Sequence, residues 1–208
     1  GKQASINLII ALGMTIVIIS GGIDLSVGSL LALTISITAV LGVVEEVNIV
    51  VAGLIATLVT VLVGTLNGII IQYGKVPAFI TTLGTMGVGR GVVLLISRGN
   101  PSMSFPDEFL WIADGSVFGI PFPILVSAIM VVATMLFLKY TALGRGVFAI
   151  GGNEEAARLS GLNIPLLRIA TYTISGFCCA VGGIIFAAVL LAQSRNAKMR
   201  APETEACT

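Results

Sequence analysis

Ionisable side chains are scarce in this sequence and fall in a few short stretches. Asp24 is the only acidic residue among the first 44 and lies in a glycine-containing break, residues 21–29. Such an acid can cap the helix that starts near Leu25 or line a transport path, and both interpretations are left open. Arg90, in the latter part of an apolar segment, either extends to the lipid headgroups or faces the protein interior.

Residues 149–161 form the most polar stretch between two long apolar segments, and we call them the docking segment. Asn153 is placed to cap a short helix, and the two glutamates that follow it then lie at the positive end of the helix dipole. Gly161 suits the left-handed residue that ends a helix. Glu154 and Arg158 are four residues apart in the favourable order for an ion pair. The pattern predicts a short, rigid helix at the membrane surface.

A second capped helix is predicted directly after the docking segment. Asn163 can cap it, and Pro165 falls in its first turn, where a missing amide proton is tolerated. A flexible connection would not need two glycines, a capped turn and a proline in so short a space. The docking segment is therefore predicted to be a docking surface for a cytoplasmic partner.

The sequence lacks the residue patterns of catalysis. It has no histidine, which removes the commonest general base and metal ligand, and no cysteine spacing of the zinc type. It has no Gly-x-x-x-x-Gly-Lys-Ser/Thr phosphate loop, so energy for pumping must come from another protein. A net charge of +1 without a basic cluster predicts no nucleic-acid partner. The chain is thus predicted to be no enzyme and to hold no cofactor or metal of its own.

Composition places the elements that position these residues in a membrane. Hydrophobic residues make up 56% of the 208 residues and charged residues 10%, and the mean hydropathy is +1.08. Since a span takes about 20 residues, the apolar runs predict an all-α, polytopic helix bundle with about six transmembrane helices. Two short helices flank the break, which should be buried in protein or lie against a pathway. The other spans are 48–72, 76–96, 124–138 and 169–192.

The spans and loops carry two finer predictions. Gly64 and Gly68 have the spacing that permits close contact between helices. Residues 98–123 are predicted to form an interfacial loop with Phe109 and Trp111 at headgroup depth. The start of a short turn in that loop is assigned to Ser104, Pro106, Asp107 and Glu108.

Basic residues set the predicted orientation. The short loops around the docking segment carry Lys139, Arg145, Arg158 and Arg168. The docking segment is therefore placed in the cytoplasm, and counting back through the spans puts residues 98–123 outside and Lys75 inside. Lys2 and the basic residues of the tail, 193–208, disagree with this count.

Two long motifs resemble those of ribose-type ABC sugar importer permeases. They are GMTIVIISGGIDLSVGSLLAL at residues 13–33 and ALGRGVFAIGGNEEAARLSG at residues 142–161. Shorter matches occur in the same order at residues 66–68, 75–80, 82–86 and 90–91. The similarity covers roughly residues 5–192.

The resemblance implies a permease subunit in the bacterial inner membrane that passes a monosaccharide, such as ribose, xylose or allose, from a periplasmic binding protein to the cytoplasm. It also implies a homodimer surrounded by membrane lipid and a cytoplasmic ABC ATPase subunit that holds ATP and magnesium. In that family the coupling loop, here residues 141–168, meets the ATPase. The coupling residues so assigned are Gly151, Gly152, Asn153, Glu154, Glu155, Ala156, Arg158 and Gly161. Candidates for the translocation path are Gly21, Gly22, Asp24, Ser26, Asn67 and Arg90.

Residues 1–192 are interpreted as part of a permease domain of about ten helices, followed by an atypical polar tail at 193–208. The resemblance implies one more span before residue 1 and about three after residue 192, so the chain is expected to be a fragment or a truncated gene product. Two other classes are left open, an ion-coupled secondary carrier or channel and an inactive membrane scaffold. The small number of charges within the spans disfavours ion coupling.

Overall fold

Helices dominate the computed structural model, which describes residues 1–45, 47–97, 109–117 and 119–200. They are α1 (Lys2–Ile19), α2 (Val27–Ala39), α3 (Ile49–Tyr73), α4 (Ala78–Ile96), α5 (Leu110–Asp114), α6 (Phe122–Tyr140), α7 (Ala142–Gly152), α8 (Glu154–Leu159) and α9 (Ile164–Arg200). A π-helical turn, Val40–Val44, continues α2. Two short strands, β1 (Ser116–Val117) and β2 (Ile120–Pro121), pair antiparallel before α6.

Five of the described helices, α1, α3, α4, α6 and α9, are long and apolar enough to cross a membrane. The apolar helix over residues 27–42 is shorter. The prediction of an all-α polytopic membrane protein with about six helices is therefore confirmed. The two short helices around the break are α1 and α2, and the backbone between them is irregular from residue 20 to residue 26.

The last helix, α9, is longer than predicted. It runs for 37 residues from Ile164 to Arg200, so the helix continues through residues 193–200, the first part of the polar tail. Its start is capped as expected, since the side-chain oxygen of Asn163 accepts a hydrogen bond from the Leu166 amide at 3.1 Å. No proline interrupts the chain between Pro165 and Pro202, so nothing forces the helix to end after the apolar run.

Close packing places α9 at the centre of the bundle, against α1, α2 and α3. The contact with α3 is made by the predicted glycine pair. A Cβ on Gly64 would lie 2.6 Å from the Tyr172 carbonyl oxygen, and one on Gly68 would lie 2.8 Å from the Ile169 Cα. The absence of side chains at both positions therefore permits the approach of the two helices, as predicted.

The short helix α5 closes one end of the bundle. Phe109 is buried, 2% exposed, in an apolar cluster that includes Ile6 and Ile9 of α1. Phe109 is thus covered by apolar side chains of α1 and α9, whereas Trp111 is 57% exposed, and the headgroup depth of both residues stays a prediction. The predicted turn at Ser104, Pro106, Asp107 and Glu108 lies outside the described residues.

Two groups of polar residues mark the opposite ends of the bundle. At the α5 end, Lys2 Nζ lies 2.7 Å from Asp114 Oδ1. At the other end, Lys75, Glu154 and Arg168 line a common cleft together with the C-terminal end of α1. This grouping agrees with the predicted orientation, in which Lys75 and the docking segment share one side of the membrane.

Candidate functional site

The break between α1 and α2, which together with the first residues of α2 we call the 21–29 turn, is shaped by two of its three glycines. Gly21 has a φ of +79°, in the left-handed region that favours glycine. Gly22 has no room for a side chain, since a Cβ there would lie 2.6 Å from Tyr172 Oη and 3.2 Å from Val17 Cγ1. The chain can therefore leave α1 sharply and still stay in contact with α9.

Asp24 is buried at the centre of this turn, 3% exposed. One carboxylate oxygen accepts hydrogen bonds from the Ser26 amide at 2.9 Å and the Ser26 hydroxyl at 2.6 Å. The other accepts from Ser175 Oγ of α9 at 2.7 Å. Of the two interpretations left open for Asp24, capping of a helix that starts near Leu25 does not hold, because α2 begins at Val27 after Ser26 and the carboxyl group binds Ser26 and α9.

The hydrogen bonds continue from Ser26 into the next two spans. Asn67 Nδ2 of α3 donates to Ser26 Oγ at 3.2 Å, and Thr85 Oγ1 of α4 donates to Asn67 Oδ1 at 2.5 Å. We call the five residues the Asp24 network, namely Asp24, Ser26, Asn67, Thr85 and Ser175. A buried hydrogen bond contributes about 0.5–1.5 kcal/mol, so the network holds the turn against α9 through Ser175 and against α3 through Asn67, which in turn contacts α4.

The structure brings together some of the predicted path residues and not others. Asp24, Ser26 and Asn67 belong to one network, and Gly21 and Gly22 lie at its edge. Arg90 is exposed on α4 and takes no part in the network. Sequence reasoning missed two members, Thr85 and Ser175. The sequence held a signal for the serine, because Arg168, Tyr172 and Ser175 follow one another at helical spacing in a mostly apolar span.

One open space adjoins the network and a second adjoins the start of the 21–29 turn. A groove of about 640 Å³ lies between α2, α3 and α4, lined by aliphatic side chains with Asn67, Thr81 and Thr85 among them. A cleft of about 490 Å³ lies at the end that carries the docking segment. Its lining includes Ser20, Gly21, Lys75, Glu154, Arg168 and Tyr172.

The docking segment has the capped geometry that was predicted. Asn153 ends α7 and caps α8, since its side-chain oxygen accepts from the Ala156 amide at 2.9 Å. Gly161 follows with a φ of +80°. Gly151 allows the close approach of α7 to α1, because a Cβ there would overlap the Ile19 carbonyl oxygen.

The predicted ion pair between Glu154 and Arg158 is wrong. Arg158 pairs with Glu155 at 2.7 Å, and this hydrogen bond and the glutamate charge raise the pKa of the Arg158 guanidinium above its usual range. Glu154 pairs with Arg168 at 2.6 Å. Glu154 is the first residue of α8 and faces the start of α9, where Arg168 lies. Arg158 pairs instead with Glu155, three residues before it on the same helix.

Arg168, on α9, contacts α3 as well as α8. Its Nη1 donates to Gln72 Oε1 of α3 at 3.3 Å, while its Nη2 holds Glu154. One turn further along α9, Tyr172 Oη donates to the Ile23 carbonyl oxygen at 3.3 Å. The docking segment and the 21–29 turn are thus bound to the same part of α9.

The side chains of the site hold the 21–29 turn and the docking segment in place. Among the described residues no three His, Cys, Asp or Glu side chains stand close enough together to hold a metal ion. The buried carboxylate is engaged by hydrogen-bond donors on both oxygens. A bundle of apolar helices with an internal polar network and a rigid polar segment at one end defines a membrane permease component.

Comparison with known proteins supports that class and gives its family. Residues 2–202 match the family described as branched-chain amino acid transport system / permease component, and the chain belongs to this family. The match extends past residue 192, where the resemblance was expected to end.

Individual relatives are sugar permeases by name. The chain is 42% identical over 189 residues to the ribose import permease protein RbsC of Escherichia coli (strain K12), which covers 88% of the chain and 58% of that relative. It is 38% identical over 186 residues to RbsC of Bacillus subtilis (strain 168), with the same two coverages of 88% and 58%. It is 34% identical over 188 residues to the D-allose transport system permease protein AlsC of E. coli (strain K12), covering 90% and 58%.

The chain therefore spans about 58% of the length of these relatives. No solved structure matches the chain significantly.

Proposed function

We propose that the chain belongs to the membrane subunit of an ATP-driven importer in the bacterial inner membrane, which passes a ribose- or allose-like monosaccharide to the cytoplasm. The observation that carries this proposal is the 42% identity over 88% of the chain to a ribose import permease. A periplasmic binding protein would deliver the sugar. A cytoplasmic ABC ATPase, holding ATP and magnesium, would supply the energy, and two permease subunits would pair.

The docking segment supports the assignment of a cytoplasmic partner. It is a capped helix with exposed Glu155 and Arg158, held on the bundle by an apolar cluster of Ile150, Ala157, Ile164 and Leu167. Such a surface is rigid before any partner arrives, so docking would require little ordering of the segment. We assign it as the face that meets the ATPase.

The residues of the Asp24 network support two different proposed roles, one in holding the 21–29 turn and one in contacting the sugar. Asp24 and Ser26 are enclosed and hydrogen-bonded to protein groups, so their proposed role is to hold the 21–29 turn. Asn67 and Thr85 also line the groove between α2, α3 and α4. Together with Thr81, which also lines the groove, these side chains are the polar groups there that can exchange hydrogen bonds with sugar hydroxyls.

A chimera tests the proposal. Residues 13–192 replace the matching part of the E. coli ribose permease in cells that lack that permease and the D-allose permease. Uptake of labelled ribose or allose is expected to return, and Thr85→Val in the chimera is expected to raise the KM for uptake.

The partner ATPase provides the control. Uptake that persists after the ATPase is inactivated would indicate an ion-coupled carrier instead. A chimera that inserts and binds the ATPase but moves neither sugar would contradict the proposed substrate class.

A further inference from the structure

One face of α9 carries the polar contacts that lead from the docking segment to the 21–29 turn. Arg168, Tyr172 and Ser175 are spaced four and three residues apart, so they share that face. Tyr172 holds the Ile23 carbonyl oxygen and Ser175 holds the Asp24 carboxylate. Arg168 occupies the end of this stripe that lies nearest α8.

Arg168 joins α9 to two other elements. Its guanidinium contacts Glu154 of α8 at 2.6 Å and Gln72 of α3 at 3.3 Å. The side chains of Arg168 and Glu154 are 24% and 50% exposed, so the pair is partly shielded from water. A planar guanidinium fixes the relative positions of both partners, which a lysine ammonium would not do.

The remaining contacts of α8 are local or apolar. The pair of Arg158 and Glu155 lies within α8, and Ala157 packs on the bundle without directional bonds. Among the residues that the structure describes, the pair of Glu154 and Arg168 is the one polar side-chain contact between α8 and the spanning helices. Among the described residues, Arg168 is therefore the polar side chain of the spanning helices that a rotation or displacement of α8 would move directly.

We propose that Arg168 is a positioning residue that sets the 21–29 turn according to the position of α8. The guanidinium carries a displacement of α8 to α9 and α3, and these helices hold the turn through Tyr172, Ser175 and Asn67. The inference rests on the proposed function, because docking of the ATPase is what displaces α8. The inference adds the residues through which docking of the ATPase would change the position of the 21–29 turn.

Hydrogen–deuterium exchange of the purified chain in lipid nanodiscs tests this route without any partner. Glu154→Gln is expected to speed exchange in the 21–29 turn about two- to fivefold, the range for a partly exposed ion pair. The Ser26 amide, which donates to Asp24, is the reporter. Glu155→Gln is the matched control, since it makes the same chemical change one residue away and breaks only the pair with Arg158.

The control variant is expected to speed exchange within α8 and to leave the turn unchanged. Arg168→Lys is expected to give an intermediate response, since it keeps the charge but loses the planar contact with Gln72. Equal exchange of the turn in the two glutamine variants, or an unchanged turn in Glu154→Gln, would overturn the proposal. Either result leaves the proposed function standing, because no ATPase or sugar enters the measurement.

Discussion

Gly151 and Gly152 stand side by side at the end of α7 but have opposite surroundings. A Cβ on Gly151 would overlap the carbonyl oxygen of Ile19 and come within 2.9 Å of its carbonyl carbon. A Cβ on Gly152 would meet nothing within 4 Å. Replacing each by alanine therefore separates the contact with α1 from the general preference of helices for alanine.

Two opposed contributions to the free energy of unfolding set the size of each effect, namely the helix preference for alanine and the cost of overpacking. Alanine instead of glycine in a helix stabilises by at most about 1 kcal/mol, less near a helix end. Overpacking against a rigid neighbour costs about 1–3 kcal/mol, and here the neighbour is backbone, which cannot rotate away. Gly152→Ala is expected to be neutral or stabilising by up to about 1 kcal/mol. Gly151→Ala is expected to be about 1–3 kcal/mol less stable than Gly152→Ala, since the helix preference largely cancels between them.

Thermal unfolding of the two purified variants in the same detergent measures this difference. The unfolding midpoint of Gly151→Ala is expected below that of the unmodified chain, and the midpoint of Gly152→Ala at or above it. Equal midpoints, or a lower midpoint for Gly152→Ala, would refute the close packing of α7 on the end of α1.

Three further predictions concern the docking segment, the turn and the network. Replacing Glu155 and Gly161 together by alanine should uncouple ATP hydrolysis from uptake in the assembled transporter while the protein still inserts; normal sugar-stimulated hydrolysis would contradict this. Gly22→Leu should abolish uptake without loss of ATPase binding, because a Cβ there already meets Tyr172 Oη at 2.6 Å, and unchanged uptake would show that the turn is incidental. Ser175→Ala should lower the free energy of unfolding by about 1–3 kcal/mol through the lost bond to the buried carboxylate. Ser127→Ala, which loses only a bond to its own helix, should cost less, and an equal loss would count against the network.

Local features of the site could be predicted from the sequence because their partners are close along the chain. Asn153 and Asn163 each cap the helix that begins at the next residue by accepting a hydrogen bond from an amide three residues ahead, and Gly161 follows a helix in the left-handed conformation. These geometries are set by the backbone within one helical turn. The ion pair of Glu154 shows the limit of such reasoning, since a local rule favoured Arg158 and the structure supplies Arg168, 14 residues away.

The sequence by itself determined the membrane class, the helical fold, the break at 21–29 and the capped docking segment, since each follows from composition or from short-range spacing. Only the tertiary structure decided what the polar residues bind. Asp24 meets Ser175 across 151 residues, and Asn67 meets Ser26 across 41. Such pairs depend on which faces of the helices meet, and that choice is made by packing of many small contacts over the whole bundle, including the glycines that bring α3 against α9.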